Sequence, residues 1–311
     1  MDAIDAVVTW VDGDDPAHQA KRARWMPDDA NANATRALRF RHSEEILYCL
    51  RSIRNHAPWV RTIWLVTDEQ FPAGLRRRAA AKAGIRVVDH RDIFAGHEDL
   101  LPTFSSPSIE TMLWRIKGLS DRFLYFNDDV VLTGPVTPGH FFRGSYPLLR
   151  GRWLDLSKAP ELSHHTHHLL NGARLYHYGR ERVFAPRHVV HALHRGTMAR
   201  VFEEHREKFL RSAGFRFRSD EQIWPIAAHH HYLFRYGAGN QTGVADAVHF
   251  SVSRTKTSTP EELAQSLEEV KRPEIVMACF NHVDLLSEKV PDFTDTLEAV
   301  TGPPARFERG R

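Results

Sequence analysis

Cysteine is nearly missing from this chain: 311 residues carry only Cys49 and Cys279, so no disulfide framework holds the fold. A reduced interior, and with it the cytoplasm, is expected. Long hydrophobic runs are missing too. No apolar stretch approaches the eighteen residues of a membrane span, and the stretch before Pro16 is acidic without a basic residue, so neither a spanning helix nor a signal peptide is expected. Charge of one sign is also lacking. Lys and Arg number 42 against 39 Asp and Glu, a net +3, which excludes a protein built mainly to neutralise nucleic-acid phosphates. Glycine loops that cradle phosphates are absent, since Gly-x-Gly occurs only at Gly237-Ala238-Gly239 with no helix signal after it. Kinase and dehydrogenase readings therefore find no support. What remains is an ordinary globular composition, 42% hydrophobic and 26% charged, with an unusual 20 histidines.

Ile4 to Val11 reads as a strand that stops at Asp12-Gly13-Asp14-Asp15-Pro16. Ser43 then caps a helix whose apolar face is Ile46, Leu47, Leu50 and Ile53, ended by Pro58. Ile63 to Thr67 is a second strand, ending on Asp68. A basic helix around Arg76 to Ala83 leads to a short strand, Arg86 to Asp89. A helix from Pro107 to Gly118 then precedes Phe123 to Phe126, a strand delivering Asn127-Asp128-Asp129 to its end. Strands alternating with helices predict an α/β fold with a mostly parallel, Rossmann-like sheet flanked by helices. Such sheets bind ligands beyond their strand C-termini, where these aspartates fall. Residues 1–150 form this nucleotide-type part. Residues 151–311 are expected to be more helical, with helices over Thr197 to Arg211 and from the capping box at Thr259, and to complete the site from the same core.

Adjacent carboxylates at a strand exit can offer oxygens to Mg²⁺ or Mn²⁺ shared with a diphosphate, which makes Asp128 and Asp129 candidates, with Asp12 if the strands are neighbours. The alternative is a turn that uses Asp for capping. Glu110, nineteen residues before Asp129, either closes the same cleft or sits solvated on its helix. His164 to His168 and His229 to His231 lack zinc-ligand spacing and read as hydrogen-bonding surface or core histidines. His188, His191 and His194 recur at intervals of three, so they could share a helical face, and one beside an acidic cleft would suit a general base. Arg39-Phe40-Arg41 and Arg216-Phe217-Arg218 alternate basic with aromatic residues, as phosphate contacts or amphipathic strands do.

Taken together, the segments resemble the Stealth proteins, a family that includes bacterial capsular polysaccharide phosphotransferases and the lysosomal-enzyme N-acetylglucosamine-1-phosphotransferase. The resemblance lies in Ile4 to Gly13, in Arg39 to Thr67, in Leu101-Pro102-Thr103-Phe104-Ser105-Ser106 through Val130, in His188 to Ser219, and weakly in Cys279-Phe280-Asn281. These blocks stand in family order over about half the chain.

The resemblance implies a sheet of the nucleotide-sugar transferase type. It also implies transfer of a sugar-1-phosphate from a nucleotide-sugar, such as a UDP-sugar like UDP-GlcNAc, to a hydroxyl of a glycan or glycolipid acceptor. A nucleoside monophosphate would be released. Asp12, Asp128 and Asp129 would hold Mg²⁺ or Mn²⁺ and the diphosphate, with Asn127, Arg41 and Glu110 beside them. His188 matches the catalytic base and Arg218 the phosphate-binding arginine. Peripheral contact with a membrane surface would suit a lipid-linked acceptor. Other readings are a metal-dependent glycosyltransferase releasing a nucleoside diphosphate, and a degenerate member that binds carbohydrate or nucleotide without turnover. Val190 stands where the family has proline, and His42, Gln222 and His282 where it has acids.

Overall fold

The computed structural model describes residues 3–26 and 45–309. Arg41, His42 and the expected helix cap Ser43 lie outside the described residues.

Four parallel strands, β1 (Ile4–Thr9), β2 (Ile63–Thr67), β3 (Ile85–Asp89) and β4 (Arg122–Asn127), form a sheet in the order β3-β2-β1-β4. The chain moves outward from β1 to β3, then returns to place β4 on the other side of β1. That reversal opens a crevice between the C-terminal ends of β1 and β4, where open α/β sheets take their ligands. Register sets Thr9 opposite Asn127, so Asp12 and Asp128 leave the sheet on the same edge. Period-2 alternation divides the core: Ile4, Ala6, Val8, Leu124 and Phe126 bury against the helix Glu45–His56, while Val7, Phe123 and Tyr125 face the helices Ser106–Met112 and Pro225–Arg235.

The opposite edge is secured by one carboxylate. Fully buried Asp5 accepts two bonds from Arg61, at 2.9 and 2.6 Å, one from Trp64 Nε1 at 3.0 Å, and one from the Ser120 amide at 2.8 Å. Those bonds outweigh the cost of burial and hold its pKa below the usual value.

After β4 come β5 (Val130–Leu132), β6 (Phe142–Arg143), β7 (Tyr146–Leu154), the helix His164–Arg174 and β8 (Val183–Pro186). The chain then returns to the main sheet as β9 (His191–His194), antiparallel to β4 with His191 opposite Tyr125. An antiparallel strand begins where its neighbour ends, so the turn before β9, which carries His188, lies beside the Asn127–Asp129 turn. Later strands β10 (Asn240–Thr242), β11 (Ala247–Phe250) and β12 (Met277–Phe280) pair with β7, β12 and β5 respectively. The capping box at Thr259 forms as expected, its hydroxyl accepting from Glu262 N and Glu262 Oε2 from Thr259 N.

Two local expectations need correction. His191 and His194 lie on a strand and His188 in the turn before it, not on a helical face, because the ladder to β4 overrides the period of three. The helix expected over Thr197 to Arg211 is two helices, Arg195–Glu204 and Arg206–Ala213, broken at His205 with φ −129° and ψ 32°.

His229, His230 and His231 are fully or almost fully buried on the helix Pro225–Arg235. His231 Nδ1 donates to Ala227 O at 2.7 Å while its Nε2 accepts the Phe184 amide at 3.0 Å, and His229 Nε2 accepts the His194 amide at 3.2 Å. A second ring proton would meet an N–H already pointing at the same nitrogen. Burial lowers His229 to about 3, and His231 and His90 to about 4. A folded pKa below the unfolded value leaves stability intact above about pH 6.5 and removes it as pH falls toward the folded value, on the order of 2 kcal/mol per histidine by pH 5. The urea midpoint should therefore drop sharply between pH 7 and pH 5. An unchanged midpoint would show that these imidazoles do not refuse protons in the fold.

Candidate active site

Residues Phe123 to Phe126 are apolar and fully buried, so β4 is anchored up to the point where Asn127, Asp128 and Asp129 emerge at its end. The turn is then fixed from behind. Asp129 O accepts the Phe280 amide at 2.9 Å, and β12 pairs with β5 immediately after. Asn281 Nδ2 donates to Asp129 Oδ2, and Asn281 Oδ1 accepts from His249 Nε2 at 2.8 Å. The other carboxylate oxygen, Asp129 Oδ1, is buried, makes no hydrogen bond and lies 3.6 Å from His188 Nε2.

On the other side of His188 is a cavity of about 100 Å³, whose wall includes Glu110, Asn127, His188 and Arg218. Four residues from three distant stretches of sequence thus meet in one small space. Arg218 Nη2 donates to Ser106 Oγ at 2.8 Å, which ties the guanidinium to the start of the helix that carries Glu110. Tyr125 OH donates to Glu110 Oε1 at 3.2 Å and shares a bond with Thr9 Oγ1 at 3.0 Å.

The electrostatics follow from this crowding. Burial of Glu110 raises its pKa to about 7, although Tyr125, Arg218 and His188 pull the other way. Loss of water raises Asp128 to about 7, and the adjacent Asp129 charge adds to the rise. Burial opposes charge on Asp129 as well, but the facing His188 outweighs it and its pKa is lowered. His188 is desolvated too, yet Asp129 and Glu110 raise its pKa above the ordinary histidine value. Neighbouring carboxylates are thereby driven apart in acidity, a pattern that assigns different proton states to groups in one site.

Glu45 is raised well above the carboxylate range by burial and by Asp128, Asp129 and Asp284, so that side of the turn is short of positive charge. A divalent cation would supply what is short there, and Asp129 Oδ1, which makes no hydrogen bond, fits one. Among the described residues, the metal-capable trio that the structure gathers is Asp129, His188 and Cys279, whose ligand atoms lie within 4.8 Å of one another. Asp12 and Asp128 are not in it. Asp12 exits on the same sheet edge, where its Oδ1 accepts the Asp14 amide at 2.9 Å and its backbone exchanges hydrogen bonds with the Gln70 side chain. Asp68, the other strand-end acid, is taken up by His18 at 3.3 Å and Lys21 at 3.0 Å and brought down to about 2 despite its burial.

His165, His168 and His191 also line the cavity; sequence reasoning passed over the first two, while His191 was among the three histidines considered for a base. The spacing of three between His165 and His168 on a helix was the available signal. His168 Nε2 donates to Ser219 O at 2.7 Å, so it also braces the arginine loop, and burial lowers it to about 4. Gln222 was seen only as the replacement of an acid. Fully buried, it donates to Ser108 Oγ at 3.0 Å and Ser212 O at 3.1 Å, and accepts from Ser105 Oγ at 2.9 Å and the Ser219 amide at 3.2 Å. A carboxylate could not make the two donated bonds. No signal marked Asn281 or Cys279 as neighbours of Asp129, because a late antiparallel strand brings them there.

Among the described residues, no helix is long and apolar enough to cross a membrane. Residues 2–30 match conserved region 1 of the Stealth proteins, and residues 39–147 match conserved region 2. An exopolysaccharide phosphotransferase of Streptomyces coelicolor is 38% identical over 245 residues, covering 75% of this chain and 40% of its own. A receptor polysaccharide phosphotransferase of Streptococcus oralis is 42% identical over 144 residues, covering 46% of this chain and 42% of its own. The chain thus spans about two fifths of the length of these curated relatives. A galactosyltransferase solved with donor and acceptor sugar analogues aligns over 96% of this chain and 97% of its own, at 13% identity and a TM-score of 0.47. With conserved regions 1 and 2 both present and in order, the chain belongs to the Stealth family.

Proposed function

We propose that this chain transfers a sugar-1-phosphate from a nucleotide-sugar, UDP-linked, to a hydroxyl of a glycan or glycolipid acceptor, leaving a phosphodiester and releasing UMP. The observation that carries this reading is the convergence of Glu110, Asn127, His188 and Arg218 on one cavity, with Asp129 behind the histidine. Attack on the β-phosphorus needs a base for the acceptor proton and a cation for the equatorial oxygens. His188 is the base: Asp129 at 3.6 Å orients it and strengthens its hold on a proton. Arg218, fixed by Ser106, presents a planar fork to the phosphoryl oxygens as they gain charge. Asn127 binds and orients the donor at the strand end, and Glu110 supports the same wall through Tyr125. Asp128 and Asp129 would hold Mg²⁺ or Mn²⁺, with Asp12 and Arg41 on the diphosphate side. That cation would neutralise the diphosphate.

Such a protein would work in the cytoplasm, at the inner face of the membrane when its acceptor is lipid-linked. The deciding experiment incubates the chain with a panel of nucleotide-sugars, Mg²⁺ or Mn²⁺ and glycan acceptors, and identifies the released nucleotide by chromatography. UMP that depends on both metal and acceptor is expected. Release of UDP would move the attack to the anomeric carbon and overturn the reading. So would donor binding with no release from any acceptor.

A further inference from the structure

On the side of Asp129 that faces His188, the donors include a nitrogen and a sulfur as well as oxygen. A carboxylate oxygen of Asp129, a ring nitrogen of His188 and Cys279 Sγ lie within 4.8 Å of one another, one carboxylate, one imidazole and one thiol from three separate elements. Ligand atoms on one tetrahedral Zn²⁺ stand roughly 3.5 Å apart, so side-chain shifts of about 1 Å would close the trio on an ion. Asn281 supports it from behind, its Nδ2 donating to Asp129 Oδ2 and to Cys279 Sγ at 3.6 Å, its Oδ1 held by His249. Ligands held in this way by outer hydrogen bonds are what metal sites require. Cys279 itself is fully buried and has no part in the transfer proposed above.

We propose that Asp129, His188 and Cys279 form a binding site for Zn²⁺, distinct in ligand chemistry from any Mg²⁺ or Mn²⁺ held by Asp128 and Asp129. Binding converts the thiol to a thiolate, its proton passing to solvent, and takes up the His188 nitrogen that faces Asp129. Zinc then excludes His188 from proton transfer, and the chain becomes sensitive to a cation that its own activity does not use.

Co²⁺ tests the site directly, because a cysteine thiolate on cobalt gives a near-ultraviolet charge-transfer band that oxygen-only sites lack. The wild-type chain is expected to show this band with one equivalent of Co²⁺, to lose it on adding Zn²⁺, and to keep it in excess Mg²⁺. Cys279→Ser should abolish the band and weaken Zn²⁺ binding at least about 100-fold, while Cys49→Ser leaves both unchanged. Should Cys279→Ser fail to fold, His188→Ala asks the same question of a second ligand by the loss of affinity. A wild-type chain without the band, or a band that survives in folded Cys279→Ser, overturns the site. Zinc inhibition of turnover, relieved in Cys279→Ser, rests on the role given to His188. Intact cobalt binding without inhibition would sink that role and leave the site standing.

Discussion

His188→Ala is expected to lower turnover about 10³-fold while leaving nucleotide-sugar binding within a few-fold of the wild type. The split follows from position. His188 lies on the cavity wall with Asp129 behind it, so its loss removes the group proposed to take the acceptor proton but none of those assigned to the diphosphate. Asp129 then has no imidazole facing Oδ1, yet Asn281 still holds Oδ2, so the turn should keep its shape. Donor binding by calorimetry and turnover by nucleotide release measure the two halves separately. Retained turnover would place the base elsewhere, and lost donor binding would make His188 a ligand contact.

Arg218→Lys, conservative in charge, should still cost about 10² to 10³-fold in kcat, with a smaller change in KM for the donor. A lysine offers one point charge where the guanidinium offers a fork, and it gives up the bond by which Arg218 Nη2 reaches Ser106 Oγ at 2.8 Å. The loop that carries Arg218 is fastened independently of that bond. Gln222 joins it to Ser105, Ser108 and Ser212, and His168 holds Ser219 O. Failure of the variant would therefore report the lost fork rather than a collapsed loop, which far-ultraviolet circular dichroism and the urea midpoint can confirm. A lysine variant with wild-type kcat would show that any positive charge suffices there.

The parallel sheet could be read from the sequence because its signals are local: β-branched runs, turn residues behind them, and amphipathic helices between. Ile63–Thr67 was legible to the residue for this reason. The aspartates at strand ends were visible too, but their fates were not. Asp68 is bound to the helix Pro16–Ala23 through His18 and Lys21, whereas Asp129 keeps one oxygen unbonded, and nothing in either local sequence separates the two. Long-range pairing was the larger loss. Only the antiparallel ladders of β9 on β4 and β12 on β5 bring His188, Cys279 and Asn281 to the Asp129 turn. Ladders between strands far apart in sequence leave no periodic trace at either end. The one misread period, His188-His191-His194, fell on such a strand.

The return of β9 to the edge of β4 also leaves the candidate site residues outside one long excursion of the chain. Glu110, Asp129, His188 and Arg218 all lie outside residues 133–187, and the two ends of that excursion are pinned to the same small part of the core, through β5 and β9. The excursion holds β6, β7 and β8 and lends His165 and His168 to the cavity wall. Closing a longer or different loop between the same two anchors adds little entropy cost, because that cost rises only with the logarithm of length. Exchange of its contents would nevertheless have to rebuild attachments outside the two anchors, among them β10 on β7, His231 on the Phe184 amide and His168 on Ser219 O, the last of which braces the loop of Arg218.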